Sequence, residues 1–153
     1  MTPDVESVFL DTNVLVYANV AESPFHALAL SRIERMYQDG VDLWISRQVL
    51  REYLAVPTRL RCSAEALSTR VLAERVRFFA THFRVADEDQ VVTDRLLELV
   101  ERFSVVGRQV HDANIVATML ACSVGCLLTA NEQDFTQYSS LIVVEPLRRH
   151  ASA

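Results

Sequence analysis

Apolar and polar positions alternate along the chain in two rhythms, and each rhythm predicts a kind of element. Short apolar runs bounded by polar or turn-forming residues predict buried strands. These runs lie at 5–10, 41–45, 83–85, 126–129 and 141–144. Longer stretches, in which apolar residues recur at helical spacing, predict helices. These stretches lie at 25–38, 46–59, 63–79, 89–105 and 111–123.

Residues that start or stop helices mark several of these boundaries. Ser46 and Ser63 each precede a predicted helix and are expected N-caps, and Thr12 is the expected cap of the segment after the first strand. Gly107 and Gly125 are expected to interrupt the chain before and after the helix at 111–123. Strands that alternate with helices predict an α/β fold around a mostly parallel, short sheet. No stretch has the composition of a linker, so we predict a single, helix-rich domain over residues 1–153.

Composition narrows the class of protein. Of 153 residues, 50% are hydrophobic and 23% are charged, which is typical of a soluble globular domain. No apolar run approaches the ~20 residues of a membrane span, and the acidic N-terminus does not resemble a signal peptide. We therefore expect a cytoplasmic protein without a membrane association. The net charge of −5 argues against a protein that coats nucleic acid by overall electrostatic attraction.

The three cysteines do not predict a disulfide framework or a zinc site. Cys62, Cys122 and Cys126 are odd in number, and no histidine lies at zinc-finger spacing from the last two. We expect buried thiols at these positions.

Four acidic residues lie among apolar neighbours, where an ionised carboxylate costs several kcal/mol unless a charge or hydrogen-bond donors compensate for it. Each has an ordinary explanation when it is considered alone. Asp11 could be a turn residue, and Glu52 could pair with an arginine such as Arg59. Asp112 could be favoured by its position at a helix N-terminus, and Asp134 could cap a short helix near residue 135.

Considered together, the four carboxylates predict one cation site. Asp11 and Asp134 follow parallel strands, and Glu52 and Asp112 lie in the first turns of helices that begin at the same edge of the sheet. Carboxylates that converge raise one another's pKa values, and a hard divalent cation relieves this repulsion. Mg²⁺ and Mn²⁺ prefer oxygen ligands and commonly meet substrate phosphates, so we predict a site for one or two of these ions.

Four segments resemble, in order, the four motif regions of PIN-domain nucleases, and in particular of VapC-type toxins from toxin–antitoxin pairs. The segments are VFLDTNVLVY (8–17), ISRQVLREYLAVPTR (45–59), VHDANIVATML (110–120) and LLTANEQDF (127–135). The resemblance implies a three-layer α/β/α sandwich with a short, mainly parallel sheet. It also implies metal-dependent cleavage of RNA, a small antitoxin partner and a homodimer.

The same resemblance assigns roles to individual residues. Asp11, Glu52 and Asp112 match the first three acidic positions of the family. Asn13 matches a residue that supports the first aspartate, and Thr129 matches the hydroxyl residue at the end of the fourth strand. Many members carry the fourth acid where this chain has Asn131, so we expect Asp134, three residues later, to supply the fourth carboxylate, with Asn131 in support.

Two arginines on or just after the Glu52 helix, Arg51 and Arg59, are candidates to bind RNA phosphates, because a guanidinium can grip a phosphate with two hydrogen bonds. A solvated helix face is the alternative interpretation of these arginines. For the whole protein, a phosphatase that uses a strand-end aspartate as acceptor is disfavoured, because the chain contains no lysine. The remaining alternative function is a catalytically inactive PIN-like module that binds RNA or protein.

Overall fold

Five parallel strands form one sheet at the centre of the protein. The computed structural model describes residues 5–56 and 68–148. The sheet has the order β3-β2-β1-β4-β5, and each neighbouring pair of strands is parallel. The strands are β1 (Ser7–Leu10), β2 (Asp42–Ser46), β3 (Arg84–Ala86), β4 (Cys126–Thr129) and β5 (Val143–Pro146). The predicted α/β fold is confirmed, and within the described residues the sheet is parallel throughout.

Helices connect these strands. They are α1 (Thr12–Ala18), α2 (His26–Gln38), α3 (Arg47–Ala55), α4 (Thr69–His82), α5 (Gln90–Phe103) and α6 (Gln109–Ala121), and a 3₁₀ helix (Glu132–Tyr138) follows β4. Of the described helices, none is long and apolar enough to cross a membrane.

The two central strands show that both faces of the sheet are covered. Successive side chains of a strand point to opposite faces. In β1, the adjacent residues Phe9 and Leu10 are both fully buried, and in β4 the same holds for Leu127 and Leu128. The sheet is therefore the middle layer of an α/β/α sandwich, and burial of each such side chain contributes about 1.5–3 kcal/mol to the free energy of unfolding.

Most predicted boundaries lie within a few residues of the observed ones, and the N-caps show where local signals were sufficient. Ser46 caps α3 as predicted, because its hydroxyl accepts a hydrogen bond from the Val49 N–H at 3.2 Å. Asp89 caps α5 in the same way, through the Val92 N–H. Such a cap stabilises a helix by about 1 kcal/mol because it satisfies an N–H group that has no partner inside the helix.

The predicted cap at Thr12 is wrong. Asp11 has an extended backbone conformation and its carboxylate accepts from the Thr12 N–H, so Asp11 is the N-cap of α1 and Thr12 is its first residue. The structure places the N-cap of α4 at Ser68, whereas the predicted cap Ser63 lies outside the described residues. The described part of the helix predicted at 46–59 ends at Ala55.

The parallel sheet determines where the functional residues meet. All five strands point the same way, so their carboxyl ends lie along one edge. Asp11 follows β1, α3 begins directly after β2, and the loop after β4 leads to Asn131. Side chains that are far apart in sequence are thereby brought to one edge of the sheet, where ligands of open α/β sheets commonly bind.

Candidate active site

All four predicted carboxylates line one cleft of about 380 Å³ at the carboxyl edge of the sheet. They are Asp11, Glu52, Asp112 and Asp134. The rest of the lining consists of polar and apolar neighbours from α1, α3 and the loop after β4, namely Thr12, Asn13, Val16, Tyr17, Val56 and Asn131. The predicted convergence of the four acidic side chains is thus present in the structure, and their chemical roles stay predictions.

Asp11 is the most deeply buried of these carboxylates, with 7% of its surface exposed. Its Oδ1 accepts a hydrogen bond from the Thr12 N–H at 2.8 Å. Its Oδ2 accepts from the Thr129 hydroxyl at 2.8 Å and from the Asn13 amide at 3.2 Å. Burial, together with the nearby charge of Glu52, raises the pKa of Asp11 to about 6, although these three donors oppose the shift and favour the ionised form.

Asn13 and Thr129 support Asp11 from two different elements. The Asn13 amide nitrogen donates to Asp11, and its amide oxygen accepts from the Ala130 N–H at 3.1 Å, so that one side chain joins α1 to the end of β4. The Thr129 hydroxyl donates to Asp11 and accepts from the Asn131 N–H at 3.0 Å. This arrangement fits the supporting positions predicted for Asn13 and Thr129, and it shows that Asn131 contributes through its backbone as well as lining the cleft.

Glu52 has two hydrogen-bond donors that the sequence did not predict. The Thr12 hydroxyl donates to its Oε2 at 2.7 Å, and the Gln48 amide donates to its Oε1 at 2.7 Å. Gln48 lies one helical turn before Glu52, so the spacing of these two residues in the sequence could have indicated the contact. No local pattern indicated the contact with Thr12, which joins α1 to α3 across 40 positions.

Asp112 lies in the first turn of α6. Burial, followed by the negative charges of Asp11, Asp134 and Glu52, raises the pKa of Asp112 to about 7. Asp134 is exposed and lies in the first turn of the 3₁₀ helix, which begins at Glu132 and not near residue 135 as predicted. The cleft therefore concentrates negative charge, and it tends to hold protons unless a cation is present.

The donor set of the cleft suits a hard divalent cation. The charged groups that line the cleft are carboxylates, and the nearby neutral groups have hydroxyl and amide oxygens. Oxygen atoms of these kinds are the ligands that Mg²⁺ and Mn²⁺ prefer. Across residues 5–56 and 68–148, no group of three or more His, Cys, Asp or Glu side chains is arranged closely enough to hold a metal ion as it stands. A cation bound here would therefore require carboxylates to move together, and the exposed side chain of Asp134 has the freedom to do so.

The two cysteines among the described residues do not line this cleft. Cys122 and Cys126 are free and half-buried, and burial raises the pKa of both thiols, to about 11 for Cys126. Cys62 lies outside the described residues.

Arg51, a predicted phosphate-binding residue, makes an ion pair with Glu88 at 3.1 Å. Its neighbour Arg47 pairs with Asp87 at 3.0 Å. The acidic residues before α5 thus cap that helix through Asp89 and also pair with the arginines of α3. Arg51 keeps 64% of its side-chain surface exposed, so its guanidinium can still reach a ligand. Arg59 lies outside the described residues.

Comparisons with known proteins agree with this architecture. The PIN domain family matches residues 8–141, whereas a comparison with curated protein sequences found no match. Among solved structures, VapBC2 of Rickettsia felis bound to a promoter DNA fragment is 18% identical with a TM-score of 0.63, and the match covers 92% of this chain and 98% of that one. A toxin–antitoxin complex from Klebsiella pneumoniae is 18% identical with a TM-score of 0.65, covering 94% and 99%. VapC20 of Mycobacterium tuberculosis, described as a Sarcin-Ricin loop cleaving toxin, is 21% identical with a TM-score of 0.59, covering 78% and 86%.

Proposed function

The chain belongs to the PIN-domain family, and on this premise we propose that it is a Mg²⁺- or Mn²⁺-dependent endoribonuclease that acts as the toxin of a toxin–antitoxin pair. One observation carries the proposal. Asp11, Glu52, Asp112 and Asp134 come from four separate parts of the chain, yet they line one cleft. Burial and mutual repulsion oppose this arrangement, as the raised pKa values of Asp11 and Asp112 indicate, so a ligand of positive charge accounts for it best.

In the proposed mechanism, the carboxylates hold the cation and the chain has no need of a side-chain nucleophile. A divalent cation in such a site supplies an activated water and neutralises negative charge on the phosphate during in-line displacement. Thr129, Asn13 and the Thr12 N–H keep Asp11 ionised and in one orientation. Asp112, with its raised pKa, must release its proton when the cation enters, so we expect activity to rise with pH through neutrality.

RNA binding would draw on groups next to the carboxylates. A phosphate that approaches α3 would exchange places with Glu88 at the Arg51 guanidinium, where two charge-assisted hydrogen bonds are available. A second, polar pocket of about 260 Å³ shares Asp112 and Asp134 with the cleft, and its other lining residues are Gln109, Gln133, Thr136 and Gln137. The amides of the three glutamines and the hydroxyl of Thr136 can donate to and accept from the base edges of a single-stranded RNA, which is the form that proteins usually read by sequence.

The proposed partner is a small antitoxin protein. Support for it comes from the fold, because solved structures that share this architecture are toxin–antitoxin complexes. The predicted homodimer stays a prediction, which light scattering of the purified protein can test.

The proposed activity can be tested with one assay. RNA is incubated with the protein and Mn²⁺, with and without a chelator. Asp11→Asn, Glu52→Gln, Asp112→Asn and Asp134→Asn are compared with the wild type. We expect each amide variant to lose most of the cleavage, with the smallest loss at the exposed Asp134. Glu98→Gln serves as the matched control, because Glu98 is an exposed carboxylate paired with Arg95 on α5, away from the cleft lining.

Two outcomes would contradict the proposal. Cleavage that survives both chelation and Asp11→Asn points to a contaminating nuclease. RNA that is bound by the wild type but never cut, at any Mn²⁺ concentration, favours the alternative of an inactive binding module.

A further inference from the structure

Gln48 joins the two helices that carry Glu52 and Asp112. Its side chain is buried, with 5% of its surface exposed, and its amide nitrogen has two acceptors. One acceptor is Glu52 Oε1 at 2.7 Å, and the other is the backbone carbonyl of His111, the residue before Asp112, at 2.8 Å. Because one NH₂ group satisfies both acceptors, the Glu52 carboxylate and the start of α6 can be no farther apart than these two hydrogen bonds allow.

The orientation of this amide is determined by its surroundings. A carboxylate and a backbone carbonyl can only accept hydrogen bonds, so the nitrogen of Gln48 must face them. Its oxygen then faces α6, where the Asn114 amide donates to it at 2.7 Å. Asn114 does not line the cleft and contacts Glu52 only through Gln48. A buried polar chain in which each member is satisfied in this way specifies a single arrangement of its groups.

We propose that Gln48 is a positioning residue for the candidate cation site and that its amide sets the separation between Glu52 and the turn of α6 that carries Asp112, while Asn114 holds the oxygen of this amide. The inference rests on the proposed function, since it assigns Gln48 to the cation that the cleft is proposed to hold. Replacement of a residue that hydrogen-bonds to a metal ligand, without contacting the metal itself, typically weakens metal affinity by about 10–100-fold.

The test measures Mn²⁺ affinity by calorimetry in the absence of RNA. Gln48→Met keeps the length of the side chain and removes all three hydrogen bonds, so we expect Mn²⁺ to bind about 10–100-fold more weakly. Gln90→Met is the matched control, because Gln90 is an exposed glutamine in the first turn of α5. It should bind Mn²⁺ as the wild type does. Thermal unfolding of each variant, measured in parallel, shows that the protein is folded.

Asn114 allows a second test of the same arrangement. Asn114→Ala removes the donor to the Gln48 oxygen and leaves the amide nitrogen on Glu52 and His111, because both of these groups can only accept. We therefore expect Asn114→Ala to weaken Mn²⁺ binding by less than Gln48→Met does.

A spectroscopic readout reports on the amide itself. In ¹⁵N-labelled, metal-free protein, the side-chain NH₂ signals of Gln48 are identified by their absence in Gln48→Met. They should shift strongly in Asn114→Ala, which removes the donor to the Gln48 oxygen, and little in Gln90→Met. Unchanged signals in Asn114→Ala, or wild-type Mn²⁺ affinity in Gln48→Met, would overturn the inference.

The outcomes also separate this inference from the proposed function. If the Mn²⁺ affinities follow the expected series but RNA is not cut, Gln48 is a positioning residue and the proposed substrate is wrong. If the wild type binds Mn²⁺ and cuts RNA while Gln48→Met does both equally well, the proposed function stands and the role of Gln48 is refuted. A wild type that binds no Mn²⁺ overturns both.

Discussion

Replacement of Asp112 by Asn should stabilise the metal-free protein at alkaline pH. Burial, followed by the charges of Asp11, Asp134 and Glu52, raises the pKa of Asp112 from 3.8 to about 7. The folded state therefore holds this proton more tightly than the unfolded state does. Between about pH 4 and pH 7, unfolding releases the proton, so the free energy of unfolding falls as pH rises. Above pH 7, Asp112 is ionised in both states, and the folded state is destabilised by the full free-energy cost of the ionised carboxylate in the cleft.

The size of the expected difference in the free energy of unfolding follows from the shift in the pKa of Asp112. Each pKa unit corresponds to about 1.4 kcal/mol, so a shift of about three units corresponds to at most about 4 kcal/mol at pH 8. An ionised Asp112 in the first turn of α6 also interacts favourably with the helix dipole, which contributes about 0.3–1 kcal/mol that the amide gives up. Subtracting this contribution leaves at most about 3–4 kcal/mol, and solvent screening of the half-buried Asp112 lowers this figure further. We therefore expect the free energy of unfolding of Asp112→Asn to exceed that of the wild type by about 2–3 kcal/mol at pH 8 and to equal it near pH 4.

Urea denaturation in the presence of a chelator, carried out from pH 4 to pH 8, measures this difference directly. Mn²⁺ at about 1,000 times its dissociation constant from the wild type should then reverse the order at pH 8, because a ligand that binds only the folded state adds about 4.1 kcal/mol at that concentration. An advantage of Asp112→Asn that is the same at pH 4 and pH 8, or that is absent at both, would refute the reasoning, because repulsion between ionised carboxylates must depend on pH.

Three further predictions test the supporting contacts. Thr129→Val removes the hydroxyl that donates to Asp11, so urea denaturation should show a free energy of unfolding lower by about 1–3 kcal/mol, with a larger loss at pH 8 than at pH 5. A loss that does not depend on pH would contradict a role of Thr129 in stabilising the ionised carboxylate. Glu88→Gln removes the ion-pair partner of Arg51, so anisotropy titrations in the inactive Asp11→Asn background should show tighter RNA binding. The slope of log affinity against log salt concentration should steepen by about 0.7, and an unchanged slope would exclude Arg51 as a phosphate ligand. Ser46→Ala removes the α3 cap and should lower the melting temperature in calorimetry by about 2–4 °C, whereas no change would mean that the cap contributes nothing.

The fold was predictable because its signals are local. Burial of both faces of β1 and β4 requires unbroken apolar runs. Such runs are visible at 8–10 and 126–128, within the strands predicted at 5–10 and 126–129, without any knowledge of neighbours. The cap at Ser46 was predictable for the same reason, since a hydroxyl and the N–H three residues later belong to one turn. Thr12 was misassigned because two candidate caps, Asp11 and Thr12, are adjacent, and only the backbone conformation decides between them.

The candidate site was predictable in its carboxylates and not in their partners. By itself the sequence determined that Asp11, Glu52, Asp112 and Asp134 reach one edge of the sheet, because parallel strands all end at the same edge. Only the tertiary structure decided that Thr12 and Gln48 hold Glu52 and that Asn114 donates to Gln48. The tertiary structure also pairs Arg51 with Glu88, whereas the sequence predicted a phosphate as the ligand of Arg51. These contacts join elements that are 37 to 66 positions apart, except for the one within α3, and they depend on strand order and helix packing. Periodicity carries information about which face of an element is buried, and it carries none about which element covers that face.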